Sequence, residues 1–266
     1  MRSGRGEAGE ETQRLISIDR VLIEVALNGT RSRAEHPAVP VTPEQQADEA
    51  RAAYAAGAGA IHVHVRDVDG RESLAREDVA RSVEAIRAAC PGVPVGVSTG
   101  VWILPDLGQR LALLRAWDVL PDFASVNLHE AGALHVIDVL LAKGVGVEAG
   151  VWNAASAEML RKSGLAETCL RILLEPAEQE GAVGTNLRRI EAVLASVRRP
   201  RLLHGIGASA WKLVAFAAMQ GWDTRTGFED TLTLPDGSRA ESNGALVTAA
   251  WRIVAAAIRG EKQGSI

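Results

Sequence analysis

The feature that most constrains this chain is an alternation repeated eight times along it. A short apolar, β-branched run is followed by a loop and then by a stretch rich in Ala, Leu, Glu and Arg. The apolar runs span residues 21–27, 60–65, 93–97, 123–126, 145–149, 170–174, 201–205 and 223–227. The helical stretches span residues 42–56, 76–89, 106–117, 133–143, 155–163, 186–197, 208–219 and 242–259. The runs are continuous in hydrophobicity instead of alternating, as in strands buried on both faces of a parallel sheet. Parallel strands need long crossovers, which the intervening helices supply. Eight βα units in about 250 residues predict an α/β fold, a (β/α)8 TIM barrel. Periodicity does not say whether a sheet closes, so a doubly wound open sheet is the runner-up.

Boundaries and composition narrow the reading further. Residues 1–14 mix glycine with charges of both signs and hold no apolar run, which predicts a disordered N-terminal tail. No linker interrupts the remainder, so residues 15–266 are expected to form a single TIM-barrel catalytic domain. With 23% charged residues and a net charge of −4, the chain reads as soluble and lacks the basic stripe of a nucleic-acid binder. No stretch has the 18 or more uninterrupted apolar residues of a membrane span. The basic start has no apolar core for a signal peptide, so the Asn28-Gly29-Thr30 sequon is read as accidental. Two distant cysteines, Cys90 and Cys169, form no disulfide framework or CxxC knuckle, and a cytoplasmic setting is expected.

A barrel of this kind places its chemistry at the carboxyl ends of its strands. The second ends in Ala60-Ile61-His62-Val63-His64-Val65-Arg66-Asp67. Histidines at i and i+2 of a strand share a face, so His62 and His64 form a natural ligand pair for Zn²⁺ or a similar metal. The bland alternative is a pair of polar core residues satisfied by neighbours. A third ligand is sought in Arg225-Thr226-Gly227-Phe228-Glu229-Asp230, where spacing does not choose between Glu229 and Asp230, or at His204. Ser98-Thr99-Gly100, Ser125 and Asn127, and Glu148 add polar groups at the third, fourth and fifth strand ends, and the first of these turns suits a carboxylate or oxyanion. Gly205-Ile206-Gly207-Ala208-Ser209-Ala210, with Asp223 beyond it, outlines a dinucleotide fingerprint. It falls on the seventh unit and leaves the histidines no role. Gly205 and Gly207 are therefore read as contacts to the phosphate of a nucleotide-like cosubstrate.

These residues together resemble the beta-keto acid cleavage enzyme family over nearly the whole chain past the tail. The likeness is carried by Pro37-Ala38-Val39-Pro40-Val41-Thr42-Pro43-Glu44-Gln45, the HxHxRD run at His62, Ser98-Thr99-Gly100, Ala124-Ser125-Val126-Asn127, Gly205-Ile206-Gly207, the RxGFED run at Arg225 and Ala240-Glu241-Ser242-Asn243. The resemblance implies a Zn-dependent barrel that condenses a beta-keto acid with acetyl-CoA to give acetoacetate and a new acyl-CoA. It implies His62, His64 and Glu229 as metal ligands and Asp230 as general base. Arg225 would position and activate that base, Ser98 would bind the substrate carboxylate, Ser125 would lie near the substrate, and the assembly would be a homotetramer. Thr99 and Glu148, by their strand-end positions, are expected to bind substrate beside them. The alternatives are a metal-dependent lyase, aldolase or hydrolase that does not use CoA, and a non-catalytic barrel that retains metal.

Two departures bear on the substrate. Family members acting on an amino-keto acid carry an acidic residue just past the first strand, where this chain has Thr30-Arg31; a second fifth-strand glutamate is replaced by Gly150. A neutral or anionic substrate side chain is expected, met if anionic by Arg31 or Arg33. Six tryptophans outnumber one tyrosine and three phenylalanines. Trp102 and Trp152 follow strand ends and are expected to wall the mouth, whereas Trp117 and Trp251 fall in helices and are expected to pack.

Overall fold

The structure, a computed structural model, describes residues 21–176 and 183–260. The expected tail lies outside the described residues. Eight units follow in order: β1 (Ile23–Ala26), α1 (Pro43–Ala55), β2 (Ala60–Val63), α2 (Arg76–Ala89), β3 (Val95–Ser98), α3 (Leu107–Ala116), β4 (Phe123–Asn127) and α4 (Ala133–Ala142). They continue with β5 (Gly146–Val151), α5 (Ala154–Ser163), β6 (Arg171–Leu174), α6 (Val183–Val193), β7 (Arg201–Leu203), α7 (Ala210–Gln220), β8 (Asp223–Thr226) and α8 (Asn243–Ile258). Every strand pairs in parallel with the next, and β8 pairs with β1, so the sheet closes into a (β/α)8 barrel. The open-sheet alternative is excluded. No helix among the described residues is long and apolar enough to cross a membrane.

Local chemistry explains the helix starts. Thr42 accepts from the Gln45 amide while Gln45 returns to the cap backbone, with Pro43 in the first turn. Asp106, Asn153 and Ser242 cap α3, α5 and α8 in the same way. α6 is already helical at Val183, a turn before the expected residue 186, and Asn186 lies inside it with its buried side chain donating to the Trp152 carbonyl at 2.9 Å. β2 stops at Val63, which leaves His64 on the first residue past the strand.

Apolar strand residues facing outward, such as Val25, Ile61 and Val63, pack with the inner faces of the helices into one core. The barrel interior is polar. Glu24 on β1 and Glu148 on β5 interact although their strands share no ladder, which is possible only across the barrel axis. Arg171 on β6 lies 2.9 Å from Glu148, and Arg225 on β8 is 2% exposed. Burial and the neighbouring carboxylate push Glu24 well above the usual carboxylate range, and burial raises Glu148 as well.

The seam between β1 and β8 is a close backbone approach. A Cβ on Gly227 would stand 2.0 Å from the Ala26 carbonyl oxygen, so only glycine lets the chain leave β8 this close to β1. Gly227→Ala is expected to lower stability by about 1–3 kcal/mol or more, since the clash is with backbone and cannot relax by a rotamer change. A fall in the urea midpoint with an unchanged slope is the outcome that checks it.

Candidate active site and metal centre

A cavity of about 370 Å³ opens at the carboxyl ends of the strands, and His62, His64, Ser98, Ser125, Arg225 and Glu229 line it. His62 and His64 lie edge to face with centroids 5.4 Å apart. Their Nε2 atoms are 3.8 Å and 3.4 Å from Glu229 Oε2, and the three donor atoms all lie within 4.8 Å of one another. Glu229 Oε2 is buried and has no hydrogen-bond partner. Two imidazole nitrogens and an orphaned carboxylate oxygen converging on one point are the donor set of a borderline divalent cation, so the residues fit a metal. Glu24, His62 and Glu148 also bring donors together, but Arg171 beside Glu148 already supplies a cation there.

The backbone under this triad is braced. Asn28 Oδ1 accepts from the His64 amide at 2.9 Å, while its Nδ2 donates to the His64 and Pro40 carbonyls at 2.9 and 3.0 Å. Gly29 sits at φ 56°, and a Cβ there would stand 2.5 Å from Glu229 Cγ, so glycine admits the carboxylate against the β1 loop. Arg66 donates to the carbonyls of Gly29 and Arg31, and Asp67 accepts from the amides of Asp69 and Arg71. The RD of the HxHxRD run is therefore scaffolding for the loops. Asn243 does the same for the RxGFED run, accepting from Phe228 N at 2.8 Å and donating to Leu27 O at 3.0 Å.

Beside the triad, Arg225 grips both carboxylates of the loop. Its Nη2 donates to Asp230 Oδ1 at 2.8 Å and to Glu229 Oε1 at 3.1 Å, and its Nε to Asp230 Oδ2 at 3.3 Å. His204, at the end of β7, bridges Asp230 Oδ1 and Glu175 Oε2 at 3.1 Å each. Burial opposes ionisation of Asp230, but Arg225 and His204 overcome it and hold the carboxyl below its usual range. The same guanidinium, with His64 and His62, holds Glu229 well below that range despite burial. Burial also resists charge on the histidines, and their partners decide the outcome. His62 falls to about 3, while Glu229 and Glu72 push His64 up to about 9 and Asp230 and Glu175 do the same for His204.

The remaining expected residues divide. Ser98 and Ser125 lie level in the β3–β4 register and line the cavity. The Thr99 hydroxyl instead donates to the Ser125 carbonyl at 2.7 Å, and Glu148 lies fully buried beside Arg171, so neither lines the cavity. Asp230 is also fully buried, set behind Arg225 and Glu229, which do line it. Gly205 and Gly207 flank Ile206 on the rim, but the Gly207 amide donates to the Asp230 carbonyl at 2.8 Å and so fixes that loop. Trp102 and Trp152 both line the cavity; Trp117 and Trp251 are tied to the Leu74 and Gly57 carbonyls. Arg31 lines the cavity and Arg33 does not.

Four functional positions carried no sequence expectation. Glu175 is a strand-end carboxylate one residue past β6, which the strand-end rule would have found. Its Oε1 lies 3.0 Å from where a Cβ on Gly150 would stand, so a carboxylate from β6 fills that space. Glu35 pairs with Arg31 at 3.1 Å. Glu72, in the loop after β2, touches His64 Nδ1. Asn28 was visible only as part of a sequon.

Comparison with known proteins places this arrangement. Residues 20–260 match the family described as beta-keto acid cleavage enzyme. The chain belongs to the beta-keto acid cleavage enzyme family. Among its relatives in that family, a 3-keto-5-aminohexanoate cleavage enzyme from Fusobacterium nucleatum is 29% identical over 258 residues, covering 89% of this chain and 92% of the relative. A 3-oxoadipate:acetyl-CoA acetyltransferase from Cupriavidus necator is 26% identical over 275 residues, covering 85% and 86%. Among solved structures, the tryptophan synthase alpha chain of Legionella pneumophila superposes with a TM-score of 0.61 at 12% identity, over 90% of this chain and 93% of that one. The 3-dehydroquinate dehydratase of Aquifex aeolicus gives 0.54 at 14% identity, over 88% and 97%. These likenesses show the shared barrel alone.

Truncating Arg225 would leave the Asp230 carboxylate buried opposite His204 alone. Arg225→Ala is expected to destabilise the metal-free protein by about 3–5 kcal/mol, the cost of removing one partner of a buried pair. Urea unfolding of the two proteins side by side checks it.

Proposed function

We propose that the cavity cleaves a beta-keto acid by exchange with acetyl-CoA, giving acetoacetate and a new acyl-CoA, with Zn²⁺ held by His62, His64 and Glu229. The observation that carries this reading is the Asp230 carboxylate clamped between Arg225 and His204, next to the converging donor atoms of His62, His64 and Glu229. When bound, a divalent ion there supplies polarisation of the 3-keto oxygen. Asp230 takes the acidic proton between the two carbonyls at Oδ2, the oxygen that Arg225 holds at the longer distance of 3.3 Å. Arg225 keeps the base ionised between turnovers and fixes its orientation against Glu229. The Ser98 and Ser125 hydroxyls, level on adjacent strands, receive the substrate carboxylate. The enolate carbon then adds to the thioester carbonyl of acetyl-CoA and expels the CoA thiolate. The thiolate adds to the substrate's own keto carbon, the C2–C3 bond breaks to give the new acyl-CoA, and the proton held by Asp230 returns to C2 to leave acetoacetate.

Charge at the rim supports a neutral substrate side chain. Each carboxylate lining that region already has a cationic partner: Glu35 has Arg31, Glu175 has His204, and Glu229 has Arg225. None is left for a substrate ammonium group, while Trp102 and Trp152 offer apolar walls.

A panel of beta-keto acids incubated with acetyl-CoA and metal-loaded protein is the test. Acetoacetate should form in proportion to acyl-CoA, fastest with neutral or bulky side chains; keto acid loss without thioester consumption would point to a lyase instead. Asp230→Asn should keep its metal and lose about 10²–10⁴-fold in kcat. His62→Ala and His64→Ala should lose metal and turnover together, measured by elemental analysis beside the assay.

A further inference from the structure

Glu72 lies on the loop between β2 and α2, where its backbone bridges back to Arg66. Its side chain is 11% exposed, although a loop carboxylate at the rim could turn into water. Instead it holds two partners from different elements. Oε1 lies 2.5 Å from His64 Nδ1, and the Trp102 indole Nε1 donates to both oxygens, at 3.1 and 3.0 Å. The Trp102 ring lies over the His64 ring, centroids 6.0 Å apart and 21° from parallel. Trp102 comes from the loop after β3, is 44% exposed, and forms a wall of the substrate cavity.

This arrangement fixes an order of dependence. With Nδ1 engaged by Glu72, the lone pair that His64 can offer is on Nε2, the atom 3.4 Å from Glu229 Oε2. The two-oxygen bond from Trp102 stops the carboxylate from rotating away from the imidazole. His62 has no equivalent support, since its Nδ1 is buried without a hydrogen-bond partner. The two imidazoles are thus unequal, and His64 is the anchored one.

We propose that Glu72 is a positioning residue that orients His64 for metal and ties the Trp102 wall to it, so that one carboxylate sets both the metal site and the shape of the cavity. The inference rests on the metal reading above. A carboxylate on the far nitrogen of a ligating histidine fixes the ring and raises its basicity, and its loss weakens metal binding by about 10–100-fold. The Trp102 indole N–H acts through Glu72, so the effects of losing that donor and of losing Glu72 on metal affinity should not add.

The experiment uses the full chain, stripped of metal and titrated with Zn²⁺ against a competing chelator, and with Co²⁺ followed by its visible absorption. In E72Q, Zn²⁺ affinity should fall about 10–100-fold, with a changed Co²⁺ spectrum. In W102F, which keeps a ring but loses the donor, affinity should fall by a smaller factor, and the E72Q/W102F protein should bind no more weakly than E72Q. Tryptophan emission supplies a readout independent of turnover. Zn²⁺ should alter the Trp102 contribution, taken as the difference between wild type and W102F, and this response should vanish in E72Q. E72Q affinity within about twofold of wild type, or additive losses in the double variant, would overturn the inference and leave the metal reading standing. Failure of the wild type to bind either ion would overturn both. If E72Q does not fold, the W102F affinity decides alone, and a value equal to wild type overturns the coupling.

Discussion

Arg225 puts a full positive charge in a nearly buried place at the edge of the cavity, and the rest of the mouth is arranged around that charge. A buried guanidinium is costly unless its donors are matched to acceptors. Here they are matched to Glu229 and Asp230 on the loop that follows its own strand. That pairing holds two acidic groups ionised in a buried place, one aimed at the histidines and one at His204. The loop can reach back to its strand because Gly227 lets it pass against the Ala26 carbonyl. Fold and chemistry meet at this seam: the closure of β8 on β1 and the placement of the acidic pair are one packing event.

Below the mouth, the polar interior continues the same electrostatics. Glu24 and Glu148 meet across the axis, with Arg225 and Arg171 level beside them on the neighbouring strands, where many barrels stack branched apolar residues. Such a network contributes little net stability compared with an apolar filling, but it fixes where each charge sits. Above it, the loops after β1, β2 and β3 are bound to one another through Asn28, Arg66 and Glu72. His62 and His64 therefore rest on a bracket drawn from three loops, and Glu229 and Asp230 rest on β7 and β8.

Much of this was legible in the sequence because its signals are local. Eight continuous apolar runs separated by helical stretches encode a parallel barrel, and histidines at i and i+2 of a strand encode a shared face. Ser98, Ser125 and Arg225 were legible for the same reason: they sit at or near strand ends, and the barrel brings strand ends together. What stayed hidden depends on distance in space. Thr99 and Glu148 stand at plausible positions, but the hydroxyl of one turns to a neighbouring carbonyl and the other lies beneath the mouth beside Arg171. Glu72 and Glu35 lie in loops, where no periodicity says which way a side chain points. Spacing alone left Glu229 and Asp230 open and the family resemblance chose Glu229; in the structure Glu229 Oε2 is the oxygen that faces the two histidines.

The claim on which the account turns is that His62, His64 and Glu229 enclose one divalent cation beside an ionised Asp230. Diffraction from crystals grown with Zn²⁺, measured on both sides of the zinc absorption edge, tests it most directly. The account requires a single anomalous peak bounded by the two Nε2 atoms and Glu229 Oε2, with Asp230 still held by Arg225. A peak among Glu24, His62 and Glu148, or an empty triad in protein that turns over a beta-keto acid, would contradict it.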